Sequence, residues 1–373
     1  MNMANVLNER NSFSLSVFLF LLSSATFPFY LFSSGGFQLS TFFFLLLFIY
    51  SIIKLDKSYY RDFNRKVFYY YLFMIYAISI SLVWCVITSN FEFLSFILIY
   101  LIDFLVLFGV SFFLVRDERF FLFFPKAIAL SVITQFILSF FISSSELRGT
   151  LFFNNPNQLG YYSLVSSAIL VIFYKKKILS DYWFYPAIIS ALWLAQLSLS
   201  NATLISILVL LAYSTLSNLK SFIVVFVLFS LSLIFLAMNQ SDFFIDRFDL
   251  IWDRFTTIGD NDDDSFAGRG YDRIWNHPLI LFVGGGEGAV YRWKSFLYDL
   301  EMHSTWGTLL FSYGVGGFTL FLLFLRSIIF SEKLITFLPF IVIALYGVTH
   351  NGLRFIYFWL FLSVCLAFAL RKD

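Results

Sequence analysis

Charge is what this 373-residue sequence has least of, with Asp, Glu, Lys and Arg together making up 13%. Soluble domains carry about a quarter charged residues, so an ordinary water-exposed globular surface is excluded. Cysteine is nearly absent too. Cys85 and Cys365 both lie inside apolar runs, which supports neither a disulfide framework nor a cysteine-based metal site. Segments of about ten residues with alternating polarity, the mark of a membrane β-barrel, are missing. The start of the chain lacks the pattern of a cleavable signal peptide, and its first apolar run reads as a first span. The formal net charge of +2 says little about partners, and no nucleic-acid partner is expected.

What is present is apolar. Hydrophobic residues form 60% of the chain and the mean hydropathy is +0.83. Many runs reach the roughly 18–20 residues that carry a helix across a ~30 Å hydrocarbon core. The fold class expected is therefore all-α, a polytopic transmembrane helix bundle. The 54 phenylalanines read as lipid-facing and packing residues favoured by AT-rich codons rather than as a functional signal.

Spans are expected over 13–33, 37–53, 67–88, 93–115, 127–145, 158–174, 182–198, 202–218, 221–238, 305–325, 334–349 and 354–370. Twelve spans put both termini on one side, and Lys and Arg in the connecting segments fix which. With the termini inside, seventeen of the 25 basic residues fall on the inner side. One connection is long, 239–304, and it lies outside; long loops within compact domains are usually functional. In its first part, "DFFIDRFDLIWDRF", Phe244, Phe248, Ile251, Trp252 and Phe255 recur at helical spacing. Asp242, Asp246, Asp249 and Asp253 share another face. That pattern predicts a helix lying in the membrane interface rather than a further span. A polar stretch, "GDNDDDSFAG", follows, then a short helix in "RGYDRIWNHP" that Pro278 would stop, then "GGGEG".

The outer side gathers the chemistry. His277, His303 and His350 all fall there, with Arg148, Arg247, Arg254, Arg269, Arg273, Arg292 and Arg354. In "ELRGTLFFNNPNQLGYY", Arg148 follows a span and Asn155-Pro156 turns the chain into the next one. An arginine at headgroup depth suits a phosphate or diphosphate through its bidentate fork. Asn155, Asn157 and Gln158 suit sugar hydroxyls. The plainer alternative is an arginine reaching to lipid phosphates beside a helix-entry turn. His303 stands just before the span that starts at Ser304 and Thr305. There the positive helix end disfavours imidazolium and leaves a neutral base; an ordinary interfacial histidine is the alternative. Arg269 opens the short helix, and its alternative is an ion pair with the Asp run.

Other signals are weaker. Asp260, Asp262 and Asp264 mimic a calcium loop, but Ser265 stands where glycine is needed and Tyr271 where a bidentate Glu belongs. Gly284 to Gly288 is not followed by Lys-Ser/Thr, so it is no phosphate-binding P-loop; a hinge or close backbone packing is expected. Asp103, inside the fourth span, is either functional or a protonated or paired structural carboxyl.

Three segments carry a resemblance. "RGTLFFNNPNQLGYY", "GRGYDRIWNHPLILFVGGGEG" and "MHSTWGTLLFSYGVGG", in this order and with the long loop before the tenth span, resemble the O-antigen polymerase and O-antigen ligase family of bacterial inner-membrane glycosyltransferases. One departure stands out: the family often has Ser-Arg after the seventh span, and here "SLSNATL" places Asn201 at the arginine. Arg273, Arg292 or Arg354 are the candidates to replace it.

The resemblance implies a single membrane domain over 1–373, similar to metal-independent GT-C-like glycosyltransferases, with cytoplasmic termini and 239–304 as a periplasmic loop. It implies that Arg148 and Arg269 hold the diphosphate of an undecaprenyl-linked glycan and that His303 acts as or assists the base. The same site would need no metal and no cofactor. A chain-length regulator and the flippase of the same pathway are the implied protein partners. A polymerase of O-antigen, capsule or exopolysaccharide is expected ahead of a ligase to lipid A-core, and a polysaccharide-unit transporter is the third reading.

Overall fold

A computed structural model describes residues 14–32, 37–142, 148–215, 227, 265, 267–293, 301–330 and 334–371. Every regular element among them is helical: α1 Leu15–Thr26, α2 Leu39–Ile53, α3 Lys57–Thr88, α4 Glu92–Arg116, α5 Glu118–Leu138, α6 Pro156–Lys175, α7 Asp181–Leu197 and α8 Asn201–Thr215. Two short helices, α9 Asp272–Asn276 and α10 Ile280–Val283, and a 3₁₀ turn over Val290–Arg292 precede α11 Thr305–Ile329, α12 Leu334–Thr349 and α13 Ile356–Leu370. The span expected over 221–238, Val227 apart, and the interfacial helix expected over 242–255 lie outside the described residues.

Four helices, α3, α4, α5 and α11, are long and apolar enough to cross a membrane. At 32 residues, α3 runs for about 48 Å, well beyond the ~30 Å of a hydrocarbon core. These helices mark a membrane protein.

Two helices form the interior. Every residue of α6 from Leu159 to Phe173 is buried, as is every residue of α13 from Tyr357 to Phe368. Helices apolar around their whole circumference belong inside a bundle. Two of its serines are tolerated there because they bond to their own helix, Ser163 Oγ to the Leu159 carbonyl at 2.9 Å and Ser167 Oγ to the Ser163 carbonyl at 2.7 Å. Around this pair, α13 packs on α4, α11 on α3, and α6 on α5, α7, α8 and α12.

Polar side chains set the helix ends. Asp56 accepts from the Tyr59 amide at the start of α3, and Arg116, closing α4, grips the same carboxylate through Nε and Nη2 at 2.7 and 2.8 Å. Asp117 caps α5, and Ser304 caps α11 through the Gly307 amide.

One helix is broken. At Gly314, φ is 62° and ψ is −178°, so α11 leaves helical geometry partway along. A break strips carbonyls of their partners, which is costly in apolar surroundings. The glycine loop supplies them: the Gly285 amide donates to the Phe311 carbonyl and the Gly286 amide to the Ser312 carbonyl, both at 2.8 Å. "GGGEG" is thus a site of close backbone packing. A Cβ on Gly284 would lie 2.7 Å from the Ser312 carbonyl oxygen, and one on Gly314 would lie 2.8 Å from that of Leu281. Gly314→Ala combines a left-handed φ with this overlap, and we expect it to cost about 1–3 kcal/mol. A lowered melting temperature of the purified protein would register the loss; an unchanged one would mean that the break relaxes freely.

Candidate functional site

Four segments far apart in sequence meet at one cavity of about 330 Å³. They are Tyr30 after α1, the entry to α6, the approach to α11, and the end of α12 with its connection to α13.

The α6 entry is built by reciprocal capping. Asn155 Oδ1 accepts from the Gln158 amide at 2.9 Å, and Gln158 Oε1 accepts from the Asn154 amide at 3.0 Å. Pro156 follows the cap at a position where no amide is missed. The turn proposed as the plainer reading is therefore real, and Asn155, Asn157 and Gln158 also line the cavity. Arg148 lies against this turn, its Nη2 donating to Asn157 Oδ1 at 2.8 Å and its Nε to the Ser198 carbonyl at 3.1 Å.

Opposite, α12 ends with carbonyls that its own helix cannot satisfy. Arg269 Nη1 donates to the Thr349 carbonyl and the Tyr271 hydroxyl to that of Val348, both at 2.6 Å. Ser304 Oγ donates to the Gly347 carbonyl at 3.2 Å. A cation at a helix C-terminus is also favoured by the dipole. The backbone then ties Arg269 to His303, whose amide donates to the Arg269 carbonyl at 3.0 Å. His303 precedes the Ser304 cap of α11 and lines the cavity.

Arg148 and Arg269 are oriented by carbonyls and an amide oxygen in these bonds. His350 is another cavity residue. Its imidazole is pushed down from 6.5 to about 3, first by desolvation and then by the charges of Arg269, His303 and Arg148. The ring stacks on Tyr346 at 4.2 Å, and Nδ1 lies 2.9 Å from Thr349 Oγ1.

Among the described residues one carboxylate faces the cavity, Glu301, and it pairs with Arg354. Arg354 also lies 3.6 Å from Glu287 of the glycine loop, whose other oxygen accepts from the Tyr100 and Tyr313 hydroxyls. Burial pushes the Glu287 carboxyl up, and Arg354 and these donors oppose the push. His350, Glu301 and Asn351 were not among the residues expected at the site. An arginine directly ahead of a span was the signal that a carboxylate partner should be sought.

Two expected substrate contacts sit elsewhere. Arg273 is 2% exposed, donates to the Trp293 carbonyl at 3.1 Å and lines a separate small cavity. Arg292 donates to the Gly285 and Ala289 carbonyls at 2.6 and 3.1 Å and lies 4.4 Å from the Trp84 ring centre. Desolvation lowers its pKa to about 10. Both arginines hold the loop that docks on α11, and neither lines the 330 Å³ cavity, whose wall does not include Arg148 or Arg269 either.

The chain matches no family model, and no curated protein or solved structure matches it.

The site yields two predictions. Because the fold favours neutral His350, the unfolded chain binds the proton more readily between pH 6.5 and about 3. The stabilisation is complete above 6.5 and is lost as pH falls through that window. Melting temperature should drop more steeply from neutral pH to about 5 in the wild type than in His350→Gln, and parallel curves would refute the shift. Asn155→Ala, which removes the α6 cap, should cost about 1 kcal/mol, read as a lower melting temperature. No change would assign Asn155 to the ligand alone.

Proposed function

We propose that the protein is a membrane glycosyltransferase that polymerises glycan units carried on undecaprenyl diphosphate. The observation that carries this reading is that His303, Asn155, Asn157 and Gln158, from segments apart in sequence, line one cavity, with Arg148 hydrogen-bonded to Asn157 and Arg269 joined to the His303 amide through its carbonyl. Two helix N-termini, those of α6 and α11, lie beside the same cavity, and such termini favour anions.

In this reading the diphosphate of the donor sits against Arg148 and Arg269. As the glycosidic bond to the diphosphate breaks, negative charge grows on the leaving oxygen. Fixed guanidinium groups stabilise that charge without having to reorganise. His303, before the N-terminus of α11, takes the proton of the acceptor hydroxyl. Attack from the face opposite the leaving group inverts the anomeric centre. Asn155, Asn157 and Gln158, on the cavity wall, suit the glycan hydroxyls. The full topology in this proposal has twelve spans with cytoplasmic termini, a GT-C-like arrangement, and the cavity facing the periplasm from the inner membrane.

A ligase acting on lipid A-core would use the same site and differ in its acceptor. Transport of the same unit is the second class, and the break of α11 at Gly314 is its best support, since transporters bind substrates at broken helices.

The test uses purified protein in nanodiscs with an undecaprenyl-diphosphate-linked repeat unit. A ladder of longer lipid-linked glycans is expected. His303→Ala should slow it by about 10²–10⁴-fold, the usual worth of a general base, and Arg269→Ala should abolish it. Transfer only after lipid A-core is added would identify a ligase. Folded protein that yields no glycan product with either acceptor would sink the enzyme reading.

A further inference from the structure

A second cavity, of about 390 Å³, adjoins the first and shares Tyr30, Glu301 and Arg354 with it. Its character is different. Phe96, Ile99, Ile102 and Ile356 give it apolar walls, and among the described residues its acids, Glu92, Asp103 and Glu301, outnumber its cation, Arg354. It follows α4 from Glu92 to Asp103, a rise of about 16 Å.

Asp103 is the anomaly. It is 1% exposed, and its Oδ2 has no hydrogen-bond partner among the described residues. A buried polar oxygen left in that state is costly. Four of the polar groups that line the cavity with it are engaged elsewhere. Gln38 bonds the backbone of Leu31 and Phe32, Ser95 donates to the Glu92 carbonyl, and Glu92 accepts from the Ala289 amide. Arg354 is held by Glu301 and Glu287.

We infer that this cavity is a second binding site, for an amphiphile whose apolar chain lies along α4 and whose hydrogen-bond donor, a hydroxyl or an ammonium, reaches Asp103. The apolar walls take the chain, and the excess of acid over base favours a donor over an anion. This separates it from the adjoining cavity, which His303, His350, Asn155, Asn157 and Gln158 line. The inference stands on Asp103 and its surroundings, and does not depend on which reaction the first cavity performs.

Photo-crosslinking tests it, on the full chain in phosphatidylcholine nanodiscs, a lipid whose headgroup carries no donor. Three diazirine probes are compared: dodecanol, dodecylamine and dodecyl methyl ether, the last without a donor. Saturable labelling of 95–103 by the alcohol or the amine, and not by the ether, is expected. Labelling by only one of them identifies the donor class. Asp103→Leu, which removes the unpartnered carboxyl, should weaken the labelling about tenfold or more. Ser95→Trp, from an exposed position on the cavity wall, should block it while leaving Asp103 in place. Equal labelling by the ether, or labelling that survives both substitutions, would overturn the site and leave a groove filled by bilayer lipid.

Discussion

The architecture around the site depends on one requirement, that a helix broken in apolar surroundings finds new partners for its carbonyls. At Gly314, α11 breaks, and the amides of Gly285 and Gly286 take up the carbonyls of Phe311 and Ser312. Only residues without a side chain allow the two backbones to come so near, since a Cβ on Gly284 or Gly314 would overlap a carbonyl oxygen. Once the loop is docked, Glu287 is carried to Arg354, Tyr100 and Tyr313. Arg273 and Arg292 hold the loop from its other side, through the Trp293, Gly285 and Ala289 carbonyls. The glycines, the arginines and the buried glutamate form one assembly.

A second theme is how the arginines are oriented. Carbonyls and an amide oxygen orient Arg148 and Arg269, and carboxylates orient Arg354. The depressed titration of His350 follows first from its desolvation and then from Arg269, His303 and Arg148. Helix ends contribute the scaffolding: the C-terminus of α12 anchors Arg269, and the N-terminus of α11 follows His303. The two cavities share the Arg354–Glu301 pair and differ beyond it, the first lined by His303 and His350, the second acidic and apolar beside Asp103.

Much of this was legible in the chain. Apolar run length alone locates helices: those expected over 37–53, 93–115, 305–325 and 334–349 appear as α2, α4, α11 and α12 with ends within a few residues, α11 running on to Ile329. Helix α3 differs, starting ten residues early at Lys57, because Asp56 caps it and its charged first turns continue the same helix. The capping signal Asn155-Pro156-x-Gln158 and the placement of His303 before Ser304 are local and were readable, because caps depend on side chains three residues apart. The short helix stopped ahead of Pro278 was readable for the same reason.

Local chemistry thus determined, from the sequence by itself, the all-helical class, most helix positions, the capped entries to α6 and α11, and a set of candidate residues. Tertiary structure alone decided which candidates share a cavity. His303, Asn155, Asn157 and Gln158 line one, with Arg148 bonded to Asn157 and Arg269 to the end of α12, while Arg273 and Arg292 turn to the carbonyls of Trp293, Gly285 and Ala289. Glu287, Glu301 and Asp103 likewise took their meaning from what lies across the bundle. The reason is physical: a guanidinium or carboxylate is directed by whichever acceptor or charge the packing brings within about 3–4 Å, and no spacing along the chain encodes that distance.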